Sequence, residues 1–239
     1  MSGHISPTSR VPARRVLRED VADVIRNSIM VGDLRRGSRL DVSGLAADLD
    51  VSQLPVREAL IALSAEGLVR TVPRRGYYVE ELDPVDVLDH YEIYGKISGI
   101  AAARASKAMS DDEIDELHAL NQRMRTAEDP QEQEELNNEI HSRINRIGAS
   151  RRLRSVLRPL SHGMDVRFGV IIPGWQNNAA NEHDAIIAAL RARDADTARA
   201  AMEHHLSING RRAVDALTEA GFFATGGAAG EGGTETPAR

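Results

Sequence analysis

Three histidines and one asparagine in the C-terminal half of the chain have the donor atoms of a metal site. Asn137 precedes His141 by four residues, so the two side chains share one face of a predicted helix. His183 begins a later predicted helix, and His205 lies on the last one. Three imidazoles and one oxygen ligand from separate helices of a bundle can close on a divalent metal. The same residues also fit surface or core positions, since the chain contains eight histidines.

A segment in the N-terminal third has the pattern of a helix that reads DNA. Its apolar residues recur at helical spacing and predict one buried face: Val56, Ala59, Leu60 and Leu63. The start of the helix, which a helix-turn-helix presents to the major groove, carries Ser52, Gln53, Leu54 and Arg57. Arg57 is the first candidate for a base or phosphate contact. The alternative is an ordinary amphipathic helix with solvated arginines.

A tight turn that contains Arg74 and Arg75 follows this helix and joins two short β-prone runs, Leu68–Val72 and Tyr77–Val79. Such a wing can reach phosphates beside the groove. Two further helices are predicted upstream from their apolar residues: Val21, Val24, Ile25 and Ile29 in the first, then Leu45, Ala46 and Leu49 in the second. Three helices and a wing make a winged helix-turn-helix.

These segments together resemble the GntR family of bacterial transcription regulators. The parts that match the family signature are, in order, Gly32–Leu40, Leu45–Ala46, Val51–Leu60, Glu66–Val69 and Pro73–Gly76. The family's usual Arg-Thr pair after Ser52 is Gln53-Leu54 in this chain. The exchange implies either a changed base preference, toward adenine through the Gln53 amide, or weaker binding.

Composition is consistent with a soluble cytoplasmic protein of two domains. The chain has 239 residues, 41% of them hydrophobic, and no cysteine, so disulfide and thiol chemistry are excluded. No apolar run approaches the roughly 18 residues that a membrane span needs, and a signal-peptide core is absent. The formal net charge of -6 is uneven, because residues 1–82 carry 12 arginines and 11 acidic residues. DNA binding should therefore depend on a few placed arginines and weaken with salt.

We predict a mainly α fold, in which an N-terminal winged helix-turn-helix precedes an all-α bundle of about six helices. The expected divisions are a flexible arm at 1–13, the DNA-binding domain at 14–80, the helical domain at 84–222 and a disordered tail at 223–239. Ser110 and Glu113 form a predicted capping box. Helices of the second domain are predicted over 85–108, from 111 onward, and over 130–147, 151–170, 181–193 and 196–220.

The second domain is similar to the FCD effector domain of the FadR subfamily, whose metal motif reads D-x-x-x-H, E-H and H-L. The corresponding residues here are Asn137, His141, Glu182-His183 and His205-Leu206. The resemblance implies a divalent transition metal (Zn, Ni, Mn or Fe) on Asn137, His141, His183 and His205, with the adjacent His204 as a bystander. Asn137 replaces the family's anionic aspartate, so the metal should bind more weakly and attract an anionic ligand more strongly.

An effector site is expected near this metal. The arginine and glutamate that the family pattern places in the first helix of the domain are Tyr94 and Ser98 here. Their loss implies a small organic acid different from the hydroxy- and dicarboxylates that relatives sense. The candidate effector residues are Tyr94, Arg152, His162 and Arg167. Solvation or ion pairing within the chain is the alternative role for each of them.

The resemblance implies a homodimeric repressor that binds a pseudo-palindromic double-stranded operator and releases it on binding an effector. A regulator with a structural metal, or with none, is one alternative. A metal-dependent hydrolase is the other, because a bound metal can activate water. We expect no enzyme, since the chain has no nucleophile elbow, no Gly-rich phosphate loop and no H-E-x-x-H motif.

Overall fold

The computed structural model describes residues 18–163, 172 and 174–223. The N-terminal domain contains three helices and three short strands: α1 Arg18–Met30, β1 Arg39–Leu40, α2 Val42–Asp48, α3 Gln53–Ala65, β2 Val69–Val72 and β3 Gly76–Val79. The strands form one antiparallel sheet in the order β1-β3-β2. This is the predicted winged helix-turn-helix. Strand β1 has only two residues and has no periodicity from which it could be predicted.

The predicted buried face of α3 is confirmed, since Val56, Ala59, Leu60 and Leu63 are all fully buried. They pack with the apolar stripe of α1 in one core. Arg26 of α1 is buried beneath this contact and donates to both carboxylate oxygens of Glu66, directly after α3. A buried guanidinium is tolerated when its hydrogen bonds are satisfied, so this pair fixes the end of α3 against α1.

The C-terminal domain is all-helical within the described residues. Its helices are α4 Pro84–Ala108, α5 Asp111–Thr126, α6 Pro130–Gly148, α7 Arg151–Gly163, α8 Trp175–Arg191 and α9 Ala195–Glu219. Helices α4 and α9 pack along most of their length, while α6 lies on α4, and α8 lies on α9 and α5. The capping box of Ser110 and Glu113 is present at the start of α5. None of the described helices is long and apolar enough to cross a membrane.

Helix α8 begins at Trp175, six residues before the predicted start. Gly174 takes φ 76° at the N-cap, a left-handed conformation that glycine adopts without strain. The chain can therefore enter the helix at Trp175, whose side chain is buried in the core. The predicted arm at 1–13, the predicted end of the helix at 164–170 and the tail from residue 224 lie outside the described residues.

Helices α4 and α6 meet without an intervening side chain at Gly148. A Cβ at this position would lie 1.9 Å from the carbonyl oxygen of Ala101 and 2.7 Å from its carbonyl carbon. The last turn of α6 is therefore in backbone contact with the middle of α4. Ala101, Ala102 and Ala105 supply the small, buried surface that this contact requires.

The two domains touch through contacts at their edges. Arg36, in the turn before β1, donates to the carbonyl oxygen of Phe222 at 3.4 Å. Its guanidinium carbon lies 5.7 Å from the ring centroid of Phe222 and 5.9 Å from that of Phe223. Arg158 of α7 forms an ion pair with Glu19 of α1. Helix α7 and the residues that follow α9 thus each contact the DNA-binding domain.

Candidate metal centre and DNA-binding surface

The three predicted histidine ligands converge in the core of the helical domain. His141 comes from α6, His183 from α8 and His205 from α9, and all three are buried. The Nε2 atom of His141 lies 3.1 Å from Nε2 of His205 and 3.4 Å from Nε2 of His183. One nitrogen atom from each of the three rings lies within 4.8 Å of the other two. Such nitrogens can share one transition-metal ion.

Asn137 lies one helical turn before His141 on α6. Its Oδ1 is buried and has no hydrogen-bond partner in the part of the chain that the structure describes. A buried carbonyl oxygen without a partner costs about 1–3 kcal/mol, unless a ligand satisfies it. This orphaned oxygen and three imidazoles are a donor set that suits a divalent transition metal.

A layer of polar side chains surrounds the histidine cluster. His183 Nδ1 is 3.1 Å from Oδ1 of Asn121 on α5, and His205 Nδ1 is 2.7 Å from Glu182 Oε2. The second carboxylate oxygen of Glu182 accepts from Arg212 at 2.7 Å. The family motif includes Glu182, but Asn121 and Arg212 are not apparent from sequence, because only the packing of α5 and α9 brings them to the cluster.

Burial determines the protonation of the cluster. Burial, followed by repulsion from His205, lowers the pKa of His141 to about 3. Burial and repulsion from His205 and His141 hold the pKa of His183 well below its ordinary value. Burial alone would raise the pKa of Glu182, but hydrogen bonds from His205 and Arg212 outweigh it and lower the pKa. His141 and His183 are therefore neutral at pH 7, as metal ligation requires.

A cavity of about 640 Å³ lies beside His141, between α4, α6 and α7. Among the residues that line it are Tyr94, Asn145, Arg146, Arg154, Leu157 and Arg158. Burial raises the pKa of Tyr94 to about 12, so its phenol stays protonated. Arg152 is exposed on α7 and does not line this cavity. Arg167 lies outside the described residues, and the side chain of His162 is not described either.

The predicted DNA-contacting residues are all exposed, some at the start of α3 and the others at the β2–β3 turn. Ser52, Gln53, Leu54 and Arg57 are solvent-exposed at the start of α3. The side chain of Leu54 is 64% exposed, although it is large and apolar. Arg74 and Arg75 are exposed at the β2–β3 turn, where Arg74 has φ 65° and Arg75 donates its backbone N–H to Val72.

The depressed pKa of His141 makes stability depend on pH. The unfolded chain binds this proton near pH 6.5 and the folded chain only near pH 3, so acid favours unfolding. The contribution of the neutral His141 ring to the free energy of unfolding is complete above pH 6.5 and is lost as the pH falls below 6.5. Between pH 7 and pH 5, the unfolding free energy of the metal-free wild type should fall by about 2 kcal/mol more than that of metal-free His141→Gln.

Urea denaturation in the presence of a chelator measures this difference. The matched variant His204→Gln replaces an exposed histidine on α9. Its unfolding free energy should change with pH as that of the wild type does. An equal change of unfolding free energy between pH 7 and pH 5 in the wild type and in His141→Gln would contradict the prediction.

Comparisons with known proteins agree with both halves of the fold. The family of bacterial regulatory proteins, gntR family, matches residues 17–79, and the FCD domain family matches residues 89–207. The HTH-type transcriptional regulator Rv0043c of Mycobacterium tuberculosis (strain ATCC 25618 / H37Rv) is 29% identical over 184 residues, which are 77% of this chain and 75% of the relative. The HTH-type transcriptional repressor RspR of Escherichia coli (strain K12) is 25% identical over 211 residues, covering 84% of this chain and 88% of the repressor.

Solved structures share the fold at lower identity. The E. coli protein McbR/YncC has a TM-score of 0.66 and 21% identity, covering 86% of this chain and 99% of its own. A putative transcriptional regulator GntR from Rhodococcus sp. RHA1 has a TM-score of 0.59 and 22% identity, with coverages of 83% and 97%. The matched families and relatives are DNA-binding regulators and not enzymes. The chain belongs to the GntR family of bacterial transcription regulators, and its helix-turn-helix domain followed by an FCD domain fits the architecture of the FadR subfamily.

Proposed function

We propose that the chain is a metal-containing, homodimeric repressor in the cytoplasm that leaves its operator when a small organic acid binds. The observation that carries this proposal is the juxtaposition of a buried histidine cluster and an arginine-lined cavity in a chain with an exposed recognition helix. The name of the E. coli relative, a transcriptional repressor, supports repression as the mode of action.

Two copies of α3 would enter successive major grooves of a pseudo-palindromic operator, about 34 Å apart. Gln53, Leu54 and Arg57 would meet base edges or the backbone, with Ser52 at the helix start. Arg74 and Arg75 would hold phosphates through the wing. The helical domains would supply the dimer contact, because α4 leaves three large apolar side chains exposed: Val85, Leu88 and Ile93.

Asn137, His141, His183 and His205 would hold the metal, whose identity is Zn, Ni, Mn or Fe. All four ligands are neutral, so a bound ion would keep its double positive charge and attract an anion. The ion would thereby supply electrostatic attraction for a carboxylate at the edge of the cavity. A structural metal without sensing is the second candidate function, favoured by the burial of all three histidines.

The effector would occupy the cavity beside His141. Arg146, Arg154 and Arg158 give this lining its cationic groups, and the protonated Tyr94 phenol can donate a hydrogen bond. Glu135 and Glu139 also line it, so an anion would have to bind on the arginine side. Arg152 does not line the cavity, and Arg152, His162 and Arg167 remain predicted effector contacts.

Coupling to DNA would run through Arg158, which lines the cavity and also pairs with Glu19 of α1. An effector shifts operator binding only if it binds the two states of the dimer unequally. Titration of small carboxylates into the metal-loaded operator complex should lower operator affinity for at least one of them. Unchanged affinity with every acid tested would favour the structural-metal role.

Selection of bound sites from a random DNA pool, at a stated near-physiological salt, tests the DNA-binding proposal directly. We expect enrichment of an inverted repeat. Arg57→Ala should weaken binding to that repeat by about 1–3 kcal/mol and relax specificity at one position if Arg57 contacts a base. Equal weakening on all sequences would instead make Arg57 a phosphate contact.

The matched control is Arg104→Ala, which removes an exposed arginine from α4 in the helical domain. This variant should retain the operator affinity of the wild type. A folded protein that enriches no sequence would contradict a sequence-specific repressor.

Metal analysis of protein purified without a histidine tag tests the metal centre. We expect close to one transition-metal ion per chain, and loss of that ion in His141→Ala, because one of three imidazole ligands is removed. His204→Ala, which changes the exposed neighbour of His205, should retain it. Absence of metal both after purification and after added metal would contradict the proposal.

A further inference from the structure

We propose that Asn121 and Glu182 are positioning residues that hold His183 and His205 as the tautomers protonated on Nδ1, so that two unprotonated Nε2 atoms lie next to His141. This inference rests on the metal centre proposed above. Neither residue would touch the metal; each would act through the imidazole to which it is hydrogen-bonded. The tautomers are assigned from two chains of hydrogen bonds. Each chain ends at a group that can only donate or only accept, and this group fixes the direction of every bond along the chain.

The first chain ends at Arg212, whose guanidinium can only donate. Arg212 Nη1 donates to Asn209 Oδ1 at 3.2 Å, and this bond orients the amide. Asn209 Nδ2 then faces His205 Nε2 at 3.2 Å and donates to it, so this ring nitrogen is an acceptor. The ring proton must therefore be on Nδ1, where it is donated to Glu182 Oε2.

The second chain ends at the backbone carbonyl of Ala180, which can only accept. Asn121 Nδ2 donates to this carbonyl at 2.9 Å and to Asp184 Oδ1 at 2.7 Å. The amide oxygen of Asn121 consequently faces His183 Nδ1, which must carry the proton. His183 Nε2 is left as a lone pair. Arg125 holds Asp184 through its other carboxylate oxygen, so this chain is anchored as well.

Two unprotonated Nε2 atoms thus face the remaining ring, His141, and that of His205 also accepts from Asn209. Its Nδ1 is buried and has no hydrogen-bond partner among the described residues, so without metal the ring proton is better placed on Nε2, beside the two acceptors. The arrangement leaves the space between the rings to a proton of His141 or to a cation. Ligands that are oriented before the ion arrives lose less freedom on binding it, which increases affinity.

The two positioning residues differ in charge. Asn121 is neutral, whereas Glu182 is a carboxylate that Arg212 keeps in place through its other oxygen. With a neutral Asn137 in the ligand set, Glu182 is the anionic group that reaches the cluster through a direct hydrogen bond. A carboxylate on Nδ1 raises the basicity of Nε2, so Glu182 should strengthen His205 as a donor.

Long-range ¹H–¹⁵N spectra of the wild-type protein, labelled at histidine and freed of metal by a chelator, test the tautomers directly. We expect Nδ1–H patterns for His183 and His205. An Nε2–H pattern for either ring would overturn the inference for that residue. This measurement needs no variant, and it stands even if the protein binds no metal.

Zinc affinity, measured by competition with a chromophoric chelator, tests the consequence. Glu182→Gln keeps an oxygen acceptor near His205 but removes the charge, and Asn121→Ala removes the acceptor for His183. Each should weaken zinc binding about 10–100-fold. Asp115→Asn is the charge-matched control, because Asp115 lies in an exposed ion pair with Arg191.

The outcomes separate this inference from the proposed metal centre. A wild-type protein that binds no zinc contradicts the metal centre, while the spectra still decide the tautomers. If the wild type binds zinc and both variants bind it with the same affinity, the positioning role is wrong. Conversely, a loss in both variants and none in Asp115→Asn supports it.

Discussion

Three imidazoles, buried together between α6, α8 and α9, are the constraint on which the helical domain depends. Polar groups taken out of water must find partners inside the protein or cost free energy. The partners come from several helices: Asn121 from α5, Glu182 from α8, and Asn209 from α9. The packing of these helices therefore both buries apolar surface and supplies the hydrogen-bond partners of the histidines. Arg125 and Arg212 connect this network to solvent, because each is partly exposed and pairs with a carboxylate of the network.

The two domains are joined loosely compared with the interior of each. Inside the DNA-binding domain, Arg26 and Glu66 form a buried, multiply hydrogen-bonded pair. Across the domains, the Arg158–Glu19 pair is exposed, and exposed ion pairs contribute only about 0–1 kcal/mol. Arg36 adds a stacking contact with the two phenylalanines after α9. Contacts of this kind allow the domains to change their relative orientation at small cost, as the proposed release of DNA would require.

Sequence patterns predicted the parts of this protein that local rules determine. The buried face of α3, the Ser110 capping box and the all-helical second domain each follow from spacing within a single segment. The family motif brought His141, His183 and His205 into one hypothesis, and the structure places them together. Strand β1 was missed because it exists only through its pairing with β3. Asn121 and the arginines of the cavity were missed for the same reason, since their roles arise when distant helices pack.

Gly148 limits which substitutions this chain can accept between α4 and α6. Because main-chain atoms form the contact between α6 and α4, no side-chain rotamer sets the spacing of the two helices there. Side chains on the outer face of α6 therefore do not set this spacing. The glycine itself cannot be replaced without moving a helix, since even a methyl group would meet the Ala101 carbonyl. Substitutions among the α6 residues that line the cavity would therefore change its shape without changing the distance between α4 and α6 at Gly148.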